Sequence, residues 1–170
     1  MRKPEGKHEP IRQSVWVDCP VEDAFRLFTQ AFAEWWPLAS YSLSGDEAET
    51  CRMEPWVGGR VFERTRTGEE CEWGSVVGWD PPKHLRFTWG DDRSQTVDVE
   101  FNVEADGTRV TVIHSGWETS AVAIPHRAPA APNALCATFC ALQTDYTDMW
   151  LVALKDCFER FVMEQVLVTV

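Results

Sequence analysis

The feature that most constrains the fold is a strict alternation of apolar and polar residues that begins after position 95. In TVDVEFNVE (96–104) the apolar side chains fall on one face of an extended strand, and the acidic and amide side chains fall on the other. The Asp-Gly pair in the following ADGT is typical of a tight hairpin, and RVTVIHSGW continues as the return strand. A sheet with one buried and one wet face is antiparallel, and another element has to cover its apolar face.

Further strands are predicted on the N-terminal side of this hairpin. IRQSVWVD, RVFERTR, CEWGSVVGW and HLRFTW combine alternation with β-branched or aromatic residues, and a short strand is expected near 50–54. The DPPK before HLRFTW ends a strand, because proline has no N–H to give to a ladder. In RVFERTR, Glu63 shares a face with Val61 and Thr65, and the sequence leaves open whether that face is the inner one.

Two helices are predicted to cover the sheet. The first runs over CPVEDAFRLFTQAFAEWW, where Pro20 suits the first helical position and Pro37 ends the helix. The second covers 144–163 and is about 30 Å long, which is enough to cross about six strands. Its apolar stripe, at helical spacing, comprises Tyr146, Trp150, Ala153, Leu154, Cys157, Phe158 and Phe161.

The adjacent tryptophans at the end of the first helix are predicted to differ in role. Neighbouring residues of a helix point about 100° apart. Trp35 continues the apolar stripe and is expected in the core. Trp36 falls off the stripe beside Pro37 and is expected at the rim of a binding site.

The order of elements predicts an α+β fold, in which a curved antiparallel sheet of six to seven strands wraps around a long C-terminal helix and encloses an internal cavity. The length of 170 residues suits one domain. Residues 1–10 are predicted to be a disordered tail and 11–170 the domain. Within the domain, the Ala- and Pro-rich segment 118–143 is predicted to be a loop or lid before the closing helix.

Charge and composition argue against several classes of partner. The chain has 27 acidic and 16 basic residues, a net charge of −11, which disfavours binding to nucleic acid or to an anionic membrane. There is no apolar run long enough to span a membrane and no signal-peptide pattern, so a cytoplasmic location is expected. The six cysteines lack a CxxC pair and are expected to be reduced and buried, and neither a metal site nor a cofactor is predicted.

Several stretches, in this order, resemble the SRPBCC (START-like, Bet v 1-like helix-grip) superfamily. They are CPVEDAFRLFTQAFAEWW, PWVGGRVFER, EWGSVVGWDPPKHLRFTW, GTRVTVIHSGWE and YTDMWLVALKDCFERFV. Within the superfamily they look like homologues of the C-terminal domain of the heat-shock protein 90 ATPase activator. The chain departs from that pattern at 118–143 and at YTDMW, where a Gly-Trp pair is more usual. The resemblance implies a helix-grip fold with a hydrophobic pocket, and it does not imply an activity.

Aromatic residues are the candidates for lining that pocket, because large rings fill a wide cavity and an indole N–H can orient a polar ligand. The candidate ligand-binding residues are Trp36, Trp56, Trp73, Phe87, Trp89, Phe101, His114, Trp117 and Trp150. The competing interpretation is that the rings fill core volume and that His114 is a structural histidine. If the protein is an enzyme, His114 is the candidate acid or base, because the pKa of a histidine lies near neutrality.

Three functions are predicted, in decreasing order of preference. The first is a non-catalytic cytoplasmic module that binds a small apolar, aromatic or lipid-like molecule. The second is an enzyme of the polyketide cyclase/aromatase or hydrolase kind that uses the same pocket. The third is an interaction protein that stimulates the ATPase of a chaperone. A monomer or a homodimer is expected.

Overall fold

Seven antiparallel strands form a single curved sheet in the part of the chain that the structure describes. The computed structural model describes residues 10–90, 95–116 and 146–168. The strands are β1 (Ile11–Val17), β2 (Ala48–Met53), β3 (Arg60–Thr65), β4 (Glu70–Asp80), β5 (His84–Trp89), β6 (Gln95–Glu104) and β7 (Gly107–Ser115). Their spatial order is β1-β7-β6-β5-β4-β3-β2. The predicted antiparallel sheet is therefore confirmed, and its curvature makes a half-barrel.

The alternation in β6 places the predicted side chains inside, with one exception. Val97, Val99 and Phe101 are buried, and Phe101 is covered by the rings of Phe25 and Phe28. Val103 is 73% exposed, so the prediction that it is buried together with these three residues is wrong. Val103 lies next to the hairpin turn, beyond the contact that covers Phe101.

The N-terminal helix is divided, where the sequence predicted one continuous helix. Helix α1 spans Val21–Thr29 and helix α2 spans Phe32–Trp35. At the division, the carbonyl of Phe28 accepts a hydrogen bond from Trp35 Nε1 at 3.1 Å. An indole donor thus takes a carbonyl that a continuous helix would use for a backbone N–H. The helical segment ends before Pro37, as predicted.

The C-terminal helix is α-helical over Tyr146–Leu151, π-helical over Val152–Phe158 and α-helical again over Glu159–Val168. It extends five residues past the predicted end at 163, and 144 and 145 lie outside the described residues. The buried members of its predicted stripe are Trp150, Ala153, Leu154, Phe158 and Phe161. Phe158 contacts the rings of Phe28 and Trp35, which joins the C-terminal helix to the N-terminal helices.

The open question about β3 is answered by burial. Val61, Glu63 and Thr65 lie on the inner face and are buried. Phe62, on the opposite face, is also buried, and the guanidinium of Arg60 lies 4.1 Å from the centre of its ring.

The cysteines and the ends of the chain need two further statements. Cys19, Cys51 and Cys157 carry free thiols, whereas Cys71 is disulfide-bonded, which contradicts the expectation that it is reduced. The predicted tail before residue 10 and the predicted lid at 118–143 lie outside the described residues. Among the helices that are described, none has the length and apolar character needed to cross a membrane.

Candidate functional site

Four buried tryptophans meet at one end of the sheet and form what we call the tryptophan cluster: Trp36, Trp73, Trp89 and Trp150. Trp36 touches all three others, with ring centres 5.5 Å from Trp73, 6.0 Å from Trp89 and 5.5 Å from Trp150. Trp89 also lies 5.7 Å from Trp73 and 5.9 Å from Trp150. These spacings and tilted planes are those of attractive aromatic pairs.

Each member of the cluster comes from a different element. Trp73 lies on the inner face of β4, and Trp89 is the last residue of β5, where Gly90 N donates to the carbonyl of Trp73. Trp150 lies in the first α-helical stretch of the C-terminal helix, and Trp36 follows α2. The cluster therefore joins the sheet to the C-terminal helix and to the end of α2.

The structure contradicts the prediction that Trp36 lies at a rim. Trp36 is only 4% exposed and occupies the centre of the cluster. The prediction extended the helical wheel of a continuous helix to residue 36. The division between α1 and α2 shifts the wheel, and Trp36 itself has an extended backbone (φ −62°, ψ 131°), so its side chain leaves the helix surface altogether. Trp35 is buried, as predicted.

His114 is fully buried beside the cluster and is held by side chains on both of its ring nitrogens. Trp150 Nε1 donates to His114 Nδ1 at 2.9 Å, and His114 Nε2 lies 2.7 Å from Gln95 Oε1. An indole nitrogen can only donate, so Nδ1 is the unprotonated nitrogen and Nε2 carries the proton. Burial lowers the pKa of His114 to about 4, which keeps the ring neutral near pH 7.

Glu63 lies at the other side of the cluster and accepts hydrogen bonds from three donors. Trp73 Nε1 donates to Glu63 Oε1 at 2.7 Å, and Ser44 N donates to Oε2 at 3.0 Å. Leu43 N donates to Oε1 as well. Glu63 is fully buried, so these donors stand in for water around its carboxylate. The carboxylate fastens the segment after Pro37 to the inner face of the sheet.

The remaining predicted site residues are spread over the molecule. Phe87 borders the cluster, with its ring centre 6.2 Å from Trp89. Phe101 lies apart from it, beneath α1, against Phe25 and Phe28. Trp56 is 52% exposed in the connection between β2 and β3. Trp117 lies outside the described residues.

Sequence reasoning missed two polar residues of the site, Gln95 and Glu63. Gln95 was detectable, because it precedes Val97 by two positions and so shares the inner face of β6. Glu63 was placed in the correct set with Val61 and Thr65, but no pattern in β3 showed that this set faces inward. Both faces of β3 carry charged residues, since Arg64 shares the other face with Phe62, so the sequence left the orientation open.

The site as described consists of buried aromatic rings and hydrogen-bonded polar groups, and its described residues include no activated nucleophile. Burial, and secondarily the charge of Glu63, raise the pKa of the Cys51 thiol to about 12, so it is protonated near pH 7. Both nitrogens of His114 are engaged by neighbouring side chains. Within the described residues, no three His, Cys, Asp or Glu side chains are grouped to hold a metal ion.

The sheet, the closing helix and the aromatic interior between them define a helix-grip domain of the SRPBCC class. Residues 18–128 match the family model described as Activator of Hsp90 ATPase homolog 1-like protein. The chain belongs to this family. No curated protein matches it.

Solved structures give the same fold. The AHSA1-like protein from Aeromonas hydrophila is 20% identical, with a TM-score of 0.55 over 92% of this chain and 94% of that one. The protein MLL2253 from Mesorhizobium loti is 16% identical, with a TM-score of 0.54 over 92% and 97%. The anthrahydroquino-gamma-pyrone synthase Txn09 is 36% identical over 65% of this chain and 78% of that one, with a TM-score of 0.48.

Proposed function

We propose that the protein binds a small, uncharged, planar aromatic molecule against the tryptophan cluster, and that it does so without catalysing a reaction. The observation that carries the proposal is the cluster itself, in which Trp36 and Trp89 each contact the three other indoles at one end of the sheet. A core can be filled with aliphatic side chains, whereas a group of indoles can also pack against the ring of a planar ligand.

The charges around the cluster favour a neutral ligand. The buried carboxylate of Glu63 bonds to Trp73, a member of the cluster, and the chain as a whole has a net charge of −11. An anionic ligand would meet both. The imidazole of His114 is neutral, so it offers no positive charge to compensate an acid. Binding therefore relies on burial of apolar surface and on contacts between rings. Each ring–ring contact contributes about 0.5–1.5 kcal/mol to the binding free energy beyond the burial of its surface.

Equilibrium dialysis with fluorene, a neutral three-ring hydrocarbon, tests this function. We expect saturable binding of one fluorene per chain, weakened at least tenfold in Trp36→Leu, because Trp36 touches every other ring of the cluster. Trp16→Leu is the matched control, since Trp16 bonds to the Glu104 carbonyl away from the cluster. Absence of saturable binding, or equal binding by both variants, would contradict the proposal.

A second candidate is an enzyme that closes a ring on a polycyclic aromatic substrate. The observation in its favour is the 36% sequence identity to a protein named as an anthrahydroquino-gamma-pyrone synthase. In that role the tryptophan cluster holds the fused rings. The test incubates the protein with an anthrahydroquinone that carries a 1,3-diketone beside a phenol. Mass spectrometry then follows the loss of one water, which accompanies closure of the ring. No mass loss above the protein-free rate rules it out for that substrate class.

A further inference from the structure

The indole N–H groups of the buried tryptophans differ in whether they donate a hydrogen bond. Four of the five buried indoles that the structure describes donate to an acceptor inside the protein. Trp35 donates to the Phe28 carbonyl at 3.1 Å, and Trp36 donates to the Tyr41 carbonyl at 2.9 Å. Trp73 donates to Glu63, and Trp150 donates to His114.

The fifth, Trp89, has no acceptor among the described residues. Its side chain is as deeply buried as the others, with 3% exposed, yet across residues 10–90, 95–116 and 146–168 no atom accepts a hydrogen bond from Trp89 Nε1. Buried donors in native proteins are nearly always paired, because an unpaired one loses its bond to water without replacement. An exception at the centre of an aromatic cluster requires a specific explanation.

The neighbouring polar groups are already engaged with one another. The ring of His114 lies 5.9 Å from that of Trp89, but its Nδ1 accepts from Trp150 and its Nε2 donates to Gln95 Oε1. The other rings around Trp89 contain no acceptor atom in the plane of the ring; they belong to Trp36, Trp73, Phe87 and Trp150. Among the described residues, therefore, none supplies an acceptor to Trp89, and a molecule bound there would supply it.

We propose that Trp89 Nε1 donates a hydrogen bond to a carbonyl oxygen of the bound aromatic molecule. The ligand class is thereby narrowed to neutral polycyclic aromatic ketones and quinones. This inference rests on the proposed binding function and adds an orienting contact to it. A carbonyl fits better than a hydroxyl, because it accepts without bringing a donor that would need a partner of its own. The contact favours a ketone over the matching hydrocarbon by about tenfold, as expected for one buried hydrogen bond.

Fluorene and 9-fluorenone form the test pair, since they share three rings and differ by one carbonyl oxygen. We expect wild-type protein to bind fluorenone about tenfold more tightly than fluorene, and Trp89→Phe to bind the two equally. The control is Trp35→Phe, which removes an indole of similar burial whose N–H is already paired. It keeps the tenfold preference. Using the ratio of the two dissociation constants cancels any loss of affinity that the substitution causes for both probes.

A spectroscopic readout is independent of affinity. In protein labelled with ¹⁵N at the indole nitrogens, the resonance that is missing from Trp89→Phe belongs to Trp89. We expect fluorenone to shift this proton downfield and fluorene to leave it near its free position. An equal preference for both probes in wild-type protein, or an unmoved Trp89 resonance at saturation with fluorenone, overturns the inference and leaves the binding function intact. Failure of both probes to bind overturns the binding function and the inference together.

Discussion

His114 makes the stability of the protein depend on pH. Its pKa is about 4 in the folded protein, against about 6.5 in an unfolded chain, because burial disfavours the charged ring. The unfolded chain therefore takes up a proton between these values while the folded protein does not. The stabilising contribution of the neutral ring is complete above pH 6.5 and is lost as the pH falls toward 4. It amounts to on the order of 3 kcal/mol.

Urea unfolding of wild-type protein and His114→Gln between pH 4 and 7.5 measures this contribution. Glutamine does not titrate, so the difference in unfolding free energy between the two proteins is expected to be largest above pH 6.5 and to shrink toward pH 4. Taking the difference between the two proteins cancels the contribution of the carboxylates to the pH dependence, because both proteins contain them. A difference that stays constant across this range would show that the folded and unfolded proteins protonate His114 alike.

Glu63 is expected to tolerate loss of its charge poorly, although no cationic side chain bonds to it within the described residues. In Glu63→Gln, an amide NH₂ replaces one acceptor oxygen and faces a donor that needs an acceptor. We expect a loss of about 1–3 kcal/mol in the free energy of unfolding and faster hydrogen exchange at Leu43 and Ser44. Glu70→Gln is the control, because it breaks only a half-exposed ion pair with Arg60 and should lose less than about 1 kcal/mol. Equal losses in the two variants would remove this special role of Glu63.

At the scale of the elements, the pairing of β4 with β5 depends on the absence of a side chain at Gly74. A methyl group there would lie 1.8 Å from the carbonyl oxygen of Thr88, which is backbone and cannot move without parting the strands. At Gly78, on the same strand, a methyl group would lie 3.1 Å from the Arg86 Cβ, and the nearest backbone atom, Arg86 N, would be at 3.7 Å. Urea unfolding should therefore show that Gly74→Ala destabilises the protein by about 3 kcal/mol or more, and Gly78→Ala by about 1 kcal/mol or less. Equal effects would mean that the two strands part more easily than this contact implies.

The strands were predictable from the sequence because each depends on a local pattern. Alternation marked β6 and β7, and the Asp-Gly pair and the two prolines marked the ends of the strands around them. The division between α1 and α2 was not predictable in this way. It coincides with the hydrogen bond from the Trp35 indole to the carbonyl of Phe28, a contact that helical periodicity does not encode. The error about Trp36 follows from that missed division.

The C-terminal helix shows the same limit. Its apolar stripe was visible in the sequence, and of the members whose burial is described all but the half-buried Cys157 are buried. Its π-helical stretch, Val152–Phe158, widens the turn in the middle of this stripe. Phe158, the last residue of this stretch, packs against the rings of Phe28 and Trp35. Spacing along one helix carries no information about those partners.

At the scale of the whole molecule, the fold followed from the sequence more completely than the site did. A sheet with one apolar face and one long helix with an apolar stripe can pack in few ways, so the order of elements along the sequence already predicted a sheet wrapped around the helix. The site depends on contacts between distant positions, such as Trp150 with His114 and Trp73 with Glu63, which no local pattern records. Several expectations stay predictions. They are the ligand contacts of Trp56 and Trp117, the internal cavity, the cytoplasmic location, the monomeric or homodimeric state and a chaperone partner.

A crystal structure of the protein with 9-fluorenone tests the central claim most directly. The account predicts one fluorenone whose rings contact the tryptophan cluster and whose carbonyl oxygen lies about 3 Å from Trp89 Nε1. The hydrogen bonds of Trp73 to Glu63 and of Trp150 to His114 are expected to remain in place. Fluorenone bound elsewhere on the protein, with the cluster untouched, would contradict the account.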